Sequence, residues 1–250
     1  MPVRTDLRTL KQILQPGVTV RSDSESRIDV THDKIRLQAV SEDKTVSVDY
    51  TLPTSCPTLS VDDADTSFWI PVERVNRMLR ASPDSPVTLK LPTETSKFLL
   101  ESGCLSYRLS PLNSRFTHRI SEDTPNEPQG EGSIRHGVFA RAVRAADLLG
   151  EDMKVQLLPS RSIIKLSATN NYNDDAFSYS LPASQINRIS GSASTLTISI
   201  DRLRDIVKAI PRAARVSLKF HPPHLTYRVK YPVTGANLTM RIANRRGTVQ

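Results

Sequence analysis

Cysteine is nearly absent: the 250 residues hold two, Cys56 and Cys104, with no CxxC pair. That excludes a disulfide framework and a cysteine-based zinc site, and predicts two reduced, partly buried thiols. No stretch approaches the roughly 20 apolar residues that cross a bilayer. The opening MPVRTDLRTLKQIL lacks the apolar core of a signal peptide, so the expectation is a soluble protein with no membrane part, kept in the compartment where it is made. Neither GxxxxGKS/T nor GxGxxG occurs, which removes the usual seat for nucleotide hydrolysis. None of the histidines (His32, His118, His136, His221, His224) lies in an HExxH or nucleophile-elbow context. His221-Pro-Pro-His224 has the look of a metal pair, but two prolines predict a rigid hairpin turn. Asp62-Asp63 and Asp174-Asp175 sit in polar stretches without a supporting base and read as solvated turns, not acid–base dyads or magnesium ligands. The expectation is a protein with no catalytic residues, no metal and no cofactor.

What is present is positive charge and alternation. Lys and Arg number 34 against 26 Asp and Glu, a net charge of +8 that favours polyanions such as nucleic acid. Most of the chain alternates apolar and polar residues over short runs, as in KIRLQAV, TVSVDYTL, KVQLLP, SIIKLSAT and RVSLKF, which predicts half-buried antiparallel strands. Four segments carry a 3.6-residue period instead: 5–15, 71–82, 137–149 and 200–210. Residues 114–135, rich in Pro, Gly, Ser and acids, read as a connector between a first domain over 1–113 and a second over 136–250.

The two halves repeat. VERVNRMLRASP (72–83) laid over IDRLRDIVKAIP (200–211), a shift of 128 residues, pairs Val72 with Ile200, Arg74 with Arg202, Val75 with Leu203, Leu79 with Val207 and Arg80 with Lys208. PVTLKL then falls over RVSLKF at a shift of 129, and Arg8 and Lys11 over Arg141 and Arg144 at a shift of 133. Each predicted helix has an apolar side and a neighbouring basic one: Arg4, Arg8 and Lys11 in the first, Arg74, Arg77 and Arg80 in the second, Arg141 and Arg144 in the third, and Arg202, Lys208 and Arg212 in the fourth, interrupted by Asp205. Charged residues always occupy the solvent face of an amphipathic helix. A shared sign on all four, with acids gathered in loops, points further, to a surface that holds a phosphate backbone without reading its sequence.

The stretches KIRLQAVSEDKTVSVDYTL (34–52), WIPVERVNRML (69–79), FARAVRAADLL (139–149), LRDIVKAIPRAARVSLKF (203–220) and LTMRIANR (238–245) resemble sliding clamps of the proliferating cell nuclear antigen (PCNA) family, in a divergent archaeal or archaeal-virus form, over nearly the whole chain. The resemblance implies an α+β DNA clamp fold: two similar domains, each with antiparallel sheets and two helices, and three subunits closed into a ring around duplex DNA. It implies that Arg8, Lys11, Arg74, Arg77, Arg80, Arg141, Arg144, Arg202 and Lys208 lie on or near the channel wall. It implies a trimer contact through edge strands around Tyr107 and Leu109 and around Phe177, Tyr179 and Leu181.

Client motifs would dock against residues at the positions of Val40, Val46, Ile120, Met240, Arg241, Ile242, Ala243 and Asn244. The partners implied are a DNA polymerase, a clamp loader, and a nuclease or ligase, in the cytoplasm of an archaeal or virus-infected archaeal cell, or the nucleus if the source is eukaryotic. Two features depart from the family pattern. Arg-Ile-Ala-Asn stands where an aromatic or Met followed by Leu-Ala-Pro is usual, which predicts a shallower or more polar client pocket. The net positive charge, in a family usually acidic outside its channel, predicts arginine on the outer surface or in the tail at Arg245 and Arg246. A clamp-like checkpoint subunit, a monomeric processivity factor and a nucleic-acid-processing enzyme stand as alternatives.

Overall fold

The computed structural model describes residues 2–20, 25–62, 65–82, 86–91, 97–111, 127–170, 175–181 and 183–245. They divide into two compact units, Met1–Ser121 with Tyr231–Leu238, and Glu122–Lys230 with Thr239–Gln250.

Unit 1 holds β1 (Pro2–Thr5), α1 (Leu7–Val18), β2 (Glu25–Val30), β3 (Lys34–Val40), β4 (Val46–Pro53), β5 (Leu59–Val61), β6 (Thr66–Pro71), α2 (Val72–Arg80), β7 (Val87–Lys90), β8 (Phe98–Ser102) and β9 (Leu105–Leu109). Its strands order as β5-β1-β7-β8-β9 and β6-β2-β3-β4. The pairs are antiparallel, with registers such as Leu37 opposite Tyr50 and Leu100 opposite Tyr107. In β4 the alternation expected from sequence is realised: Val46, Val48, Tyr50 and Leu52 are buried and the residues between them are not.

Unit 2 holds β10 (Gly130–Arg135), α3 (His136–Ala146), β11 (Asp152–Leu158), β12 (Ile163–Thr169), β13 (Ala176–Leu181), β14 (Ile186–Gly191), β15 (Ser194–Ser199), α4 (Ile200–Ala209), β16 (Arg215–His221), β17 (His224–Lys230) and β18 (Asn237–Ala243), the last with its residues from Thr239 onward in this unit. The strand orders are β14-β10-β16-β17-β18 and β15-β11-β12-β13. Each is the corresponding order of unit 1 with every strand number raised by nine, so the duplication seen in the amino acids is also a duplication of topology.

The helices are 12, 9, 11 and 10 residues long. Isolated helices of that length are marginal in water. Burying a large apolar side chain contributes about 1.5–3 kcal/mol, so the apolar stripe, rather than helix propensity, holds each one in place. The first begins later and runs longer than the period over 5–15 suggests. Asp6 caps it, its Oδ1 accepting from the Thr9 amide at 2.6 Å, while Arg4 belongs to β1. Pro16 does not end it; the chain turns helical to Val18, where the Thr19 hydroxyl donates to the Pro16 carbonyl at 2.6 Å.

The connector read over 114–135 is cut short, because its last six residues form β10. Its inward positions are Gly130, Gly132 and Ile134, and the glycines are required by close approach of the second sheet. A Cβ at Gly130 would lie 2.3 Å from Leu157 Cδ2, and one at Gly132 2.6 Å from Ile164 Cδ1. Cys56 is buried as expected, but Cys104, in the turn between β8 and β9, is exposed.

Candidate nucleic-acid interface

In unit 1, α1 buries Leu7, Leu10, Ile13 and Leu14, leaving Arg8 exposed and Lys11 half-buried. Helix α2 buries Val72, Val75 and Leu79, with Asn76 also buried, and exposes Arg74, Arg77 and Arg80. Successive residues on a helix are 100° apart, so the three arginines at a spacing of three form one row beside the buried stripe. The two helices pack against each other, which brings the cations of both to one part of unit 1.

In unit 2, α3 buries Val138, Phe139, Ala142, Val143 and Ala146 and exposes Arg141 and Arg144. The Arg144 Nε donates to the Ala140 carbonyl at 3.3 Å. Helix α4 is different. It buries Ile200, Leu203, Ile206 and Val207, leaves Arg202 half-buried and exposes Lys208. Asp205 occupies the place of Arg77 in the repeat and lies 3.7 Å from Lys208 Nζ. Arg204 pairs with Asp147 at 3.2 Å and Asp201 at 2.7 Å. The charge of Asp147, then the hydrogen bond to it, holds the Arg204 guanidinium above its ordinary value. Arg204, absent from the expected cation set, therefore ties α4 to the C-terminal end of α3; the signal that could have revealed it is the i,i+3 spacing from Asp201. Arg212, just beyond α4, is exposed.

Among the described residues strands β9 and β13 are each the last strand of their sheet, so each presents a row of backbone groups with no neighbouring strand there. Tyr107 on β9 and Phe177 and Tyr179 on β13 are half-buried. Leu109 and Leu181 are not available to a partner: they are 3% and 0% exposed and pack within their own units, opposite Phe98 and Ile164. Residues two apart on a strand share a face, so these leucines lie on the same side as Tyr107, Phe177 and Tyr179, at the ends of their strands where that side is fully covered.

The residues matched to client binding also separate by burial. Val40, Arg241, Ala243 and Asn244 are half-buried, whereas Val46, Met240 and Ile242 are core residues; Ile120 lies outside the described residues. Asn244 is spent inside unit 2. Its Oδ1 accepts from the Thr197 amide at 2.9 Å, its Nδ2 donates to the Pro222 carbonyl at 3.2 Å, and its own amide donates to the Pro223 carbonyl at 2.9 Å. Next to it Arg245 pairs with Asp152 at 2.8 Å; Arg246 lies outside the described residues.

Of the acidic pairs, Asp62 is exposed, while Asp63 and Asp174 fall outside the described residues, as does His118. Among the described residues no group of three or more His, Cys, Asp or Glu could hold a metal ion. His221 and His224 pair across the β16–β17 hairpin, as the two prolines predicted, with rings stacked 4.6 Å apart.

No family model matches the chain. Among curated proteins it is 23% identical, over 227 residues covering 90% of this chain and 86% of the other, to a DNA polymerase sliding clamp of Methanocella arvoryzae. Among solved structures it superposes with a TM-score of 0.84 and 17% identity, over 99% of both chains, on PCNA of A. fulgidus bound to the C-terminal region of FEN-1. It superposes with a TM-score of 0.80, again at 17% identity, on PCNA from Thermococcus kodakaraensis, over 97% of this chain and 100% of that one.

Proposed function

We propose that this chain, a sliding clamp of the PCNA family, closes with two copies of itself into a ring around duplex DNA and tethers replication and repair proteins there. The observation that carries the reading is the placement of Arg8, Arg74, Arg77, Arg80, Arg141, Arg144 and Lys208: each is exposed on a helix whose other face is buried in its own unit. Lys11 and Arg202, half-buried, belong to the same set. Such cations hold phosphates through individually weak, interchangeable contacts, which permits sliding. Action of this kind is topological: it raises the local concentration of a bound enzyme on DNA and breaks no bond.

Ring closure is supported by β9 and β13, two sheet edges that a head-to-tail contact between neighbouring subunits would satisfy. Tyr107, Phe177 and Tyr179 would supply side-chain contacts there. Client motifs of a polymerase, a loader, a nuclease or a ligase would meet Arg241 and Ala243 of unit 2, which keep exposed surface.

Light scattering on a size-exclusion column tests the ring. A mass about three times the chain's 27.8 kDa supports it. A mass equal to one chain at micromolar concentration overturns it in favour of a monomeric processivity factor.

A further inference from the structure

We propose that the face of the β14-β10-β16-β17 sheet turned away from α3 and α4 is a second binding surface for duplex nucleic acid, separate from the helices. The sheet registers define this face. Ser133 stands opposite Arg188 on one side and Ser217 on the other, and Ser217 stands opposite Arg228, so one cross-strand row reads Arg-Ser-Ser-Arg. Two residues along the strands, Arg135 lies directly opposite Arg215, with Lys230 beside them on β17. The alternate residues Ile134, Val216, Leu218, Leu225, Tyr227 and Val229 are buried on the other face, and Tyr227 meets Phe139 of α3 there with ring centroids 5.5 Å apart. The helices and the arginine rows therefore occupy opposite faces of one sheet.

Arg135, Arg188, Arg215, Arg228 and Lys230 are all exposed, and among the described residues none has an acid within ion-pair distance. The acid on this face, Glu131, is taken by Lys219 at 3.6 Å and by the Ser217 hydroxyl at 2.8 Å. Strands lie about 4.8 Å apart and residues of one face about 6.6 Å apart along a strand, so the five cations fall within roughly 14 by 7 Å. Like charges directly opposite on neighbouring strands are destabilising. An Arg135–Arg215 pair without a counter-charge is thus a local cost, and a bound anion would remove it. Solubility does not account for the patch. The matching sheet of unit 1, β5-β1-β7-β8, is far less basic, with Arg4 and with Lys90 paired to Glu101 at 3.1 Å.

The chemistry selects the occupant. Protein interfaces are anchored by aromatic or aliphatic side chains, and single-stranded nucleic acid by aromatic stacking platforms. The arginine rows carry neither; they offer guanidinium groups with serine hydroxyls between them, the set that contacts a duplex backbone.

The test uses the full chain and a short fluorescent duplex blocked at both ends by streptavidin, which cannot thread a closed ring, read by anisotropy at about 50 mM salt. The triple variant Arg188→Glu, Arg215→Glu, Arg228→Glu is expected to bind this duplex at least tenfold more weakly, while the control Lys44→Glu, Lys154→Glu, at exposed lysines off this face and off the helices, binds it as the parent does. Because Arg215→Glu gives Arg135 an opposite charge, that single variant is expected to melt no lower than the parent, which separates lost binding from lost folding. Equal binding by parent and triple variant overturns the proposal, as does an equal loss in the control variant. A polyglutamate peptide of equal charge that binds more tightly than the duplex overturns it in favour of an acidic protein. Light scattering on the same sample tells the two failures apart: a monomer whose triple variant still loses tenfold keeps this proposal and loses the ring, whereas a trimer whose triple variant loses nothing keeps the ring and loses this proposal.

Discussion

The Tyr227 hydroxyl on β17 lies 2.5 Å from Nδ1 of His136, the first residue of α3. The other ring nitrogen, Nε2, lies 3.0 Å from the Val207 carbonyl in the last turn of α4. A carbonyl can only accept, so Nε2 carries the proton, Nδ1 accepts, and the tyrosine donates. Burial pushes the His136 pKa down, which keeps the ring neutral as this tautomer requires. One imidazole thereby joins a strand and both helices of unit 2, and it satisfies a carbonyl that the end of α4 leaves without an intrahelical partner. Tyr227→Phe keeps the packing and strands Nδ1, so it is expected to cost about 1–3 kcal/mol in urea unfolding. A loss near zero would show that the hydroxyl is idle.

His224 gives a pH dependence. Its burial, then the neighbouring charges of His221 and Arg241, push its pKa down to about 4. As pH falls from about 6.5 toward 4, the unfolded chain takes up a proton that the folded chain refuses, so this contribution to stability is complete above 6.5 and lost on the way down. Discounted for partial exposure, the loss is about 2 kcal/mol. Melting temperature against pH is expected to fall more steeply for the parent than for His224→Gln between pH 6.5 and 4.5; parallel curves would remove His224 as the cause.

The helices and most strands were legible because one face of each is buried, and burial writes a period into the sequence. Strand β10 was not: two of its three inward positions are glycine, placed there by Leu157 and Ile164 rather than by any local preference. Strand β1, four residues long, is too short for a period to emerge and merged with the helix that follows. The basic faces of α1, α2 and α3 were equally readable, since exposure is the complement of the buried stripe. What sequence spacing could not supply was the capture of Arg204 by Asp147, which lies 57 residues away in the chain. The same limit applies at the sheet edges, where Leu109 and Leu181 share a face with the half-buried aromatics yet are fully buried at the ends of their strands.

If β9 and β13 join neighbouring subunits, a charge on either should keep them apart. Tyr107→Arg and Phe177→Arg each place a cation at a half-buried edge position. Each is expected to lower the mass in light scattering toward 27.8 kDa while leaving the circular dichroism of the folded chain unchanged. A variant that stays at about three chains would move the subunit contact elsewhere.

The helix cations give a graded test, because α2 and α4 are copies whose basic rows differ where Asp205 replaces Arg77. Arg77 is exposed on α2, whereas its counterpart on α4 is Asp205, which lies 3.7 Å from Lys208. If these faces hold phosphate, Arg74→Glu with Arg80→Glu removes two contacts, and the slope of log affinity against log salt should become shallower by about 2. Asp205→Asn keeps the shape of the side chain, cancels the interrupting charge and releases Lys208. It is expected to tighten binding to a threadable linear duplex several-fold and to steepen the same slope by about 1. Opposite signs from charge edits on the two repeated helices cannot arise from a general loss of folding. Asp205→Asn binding no tighter than the parent would place the α4 face away from the DNA.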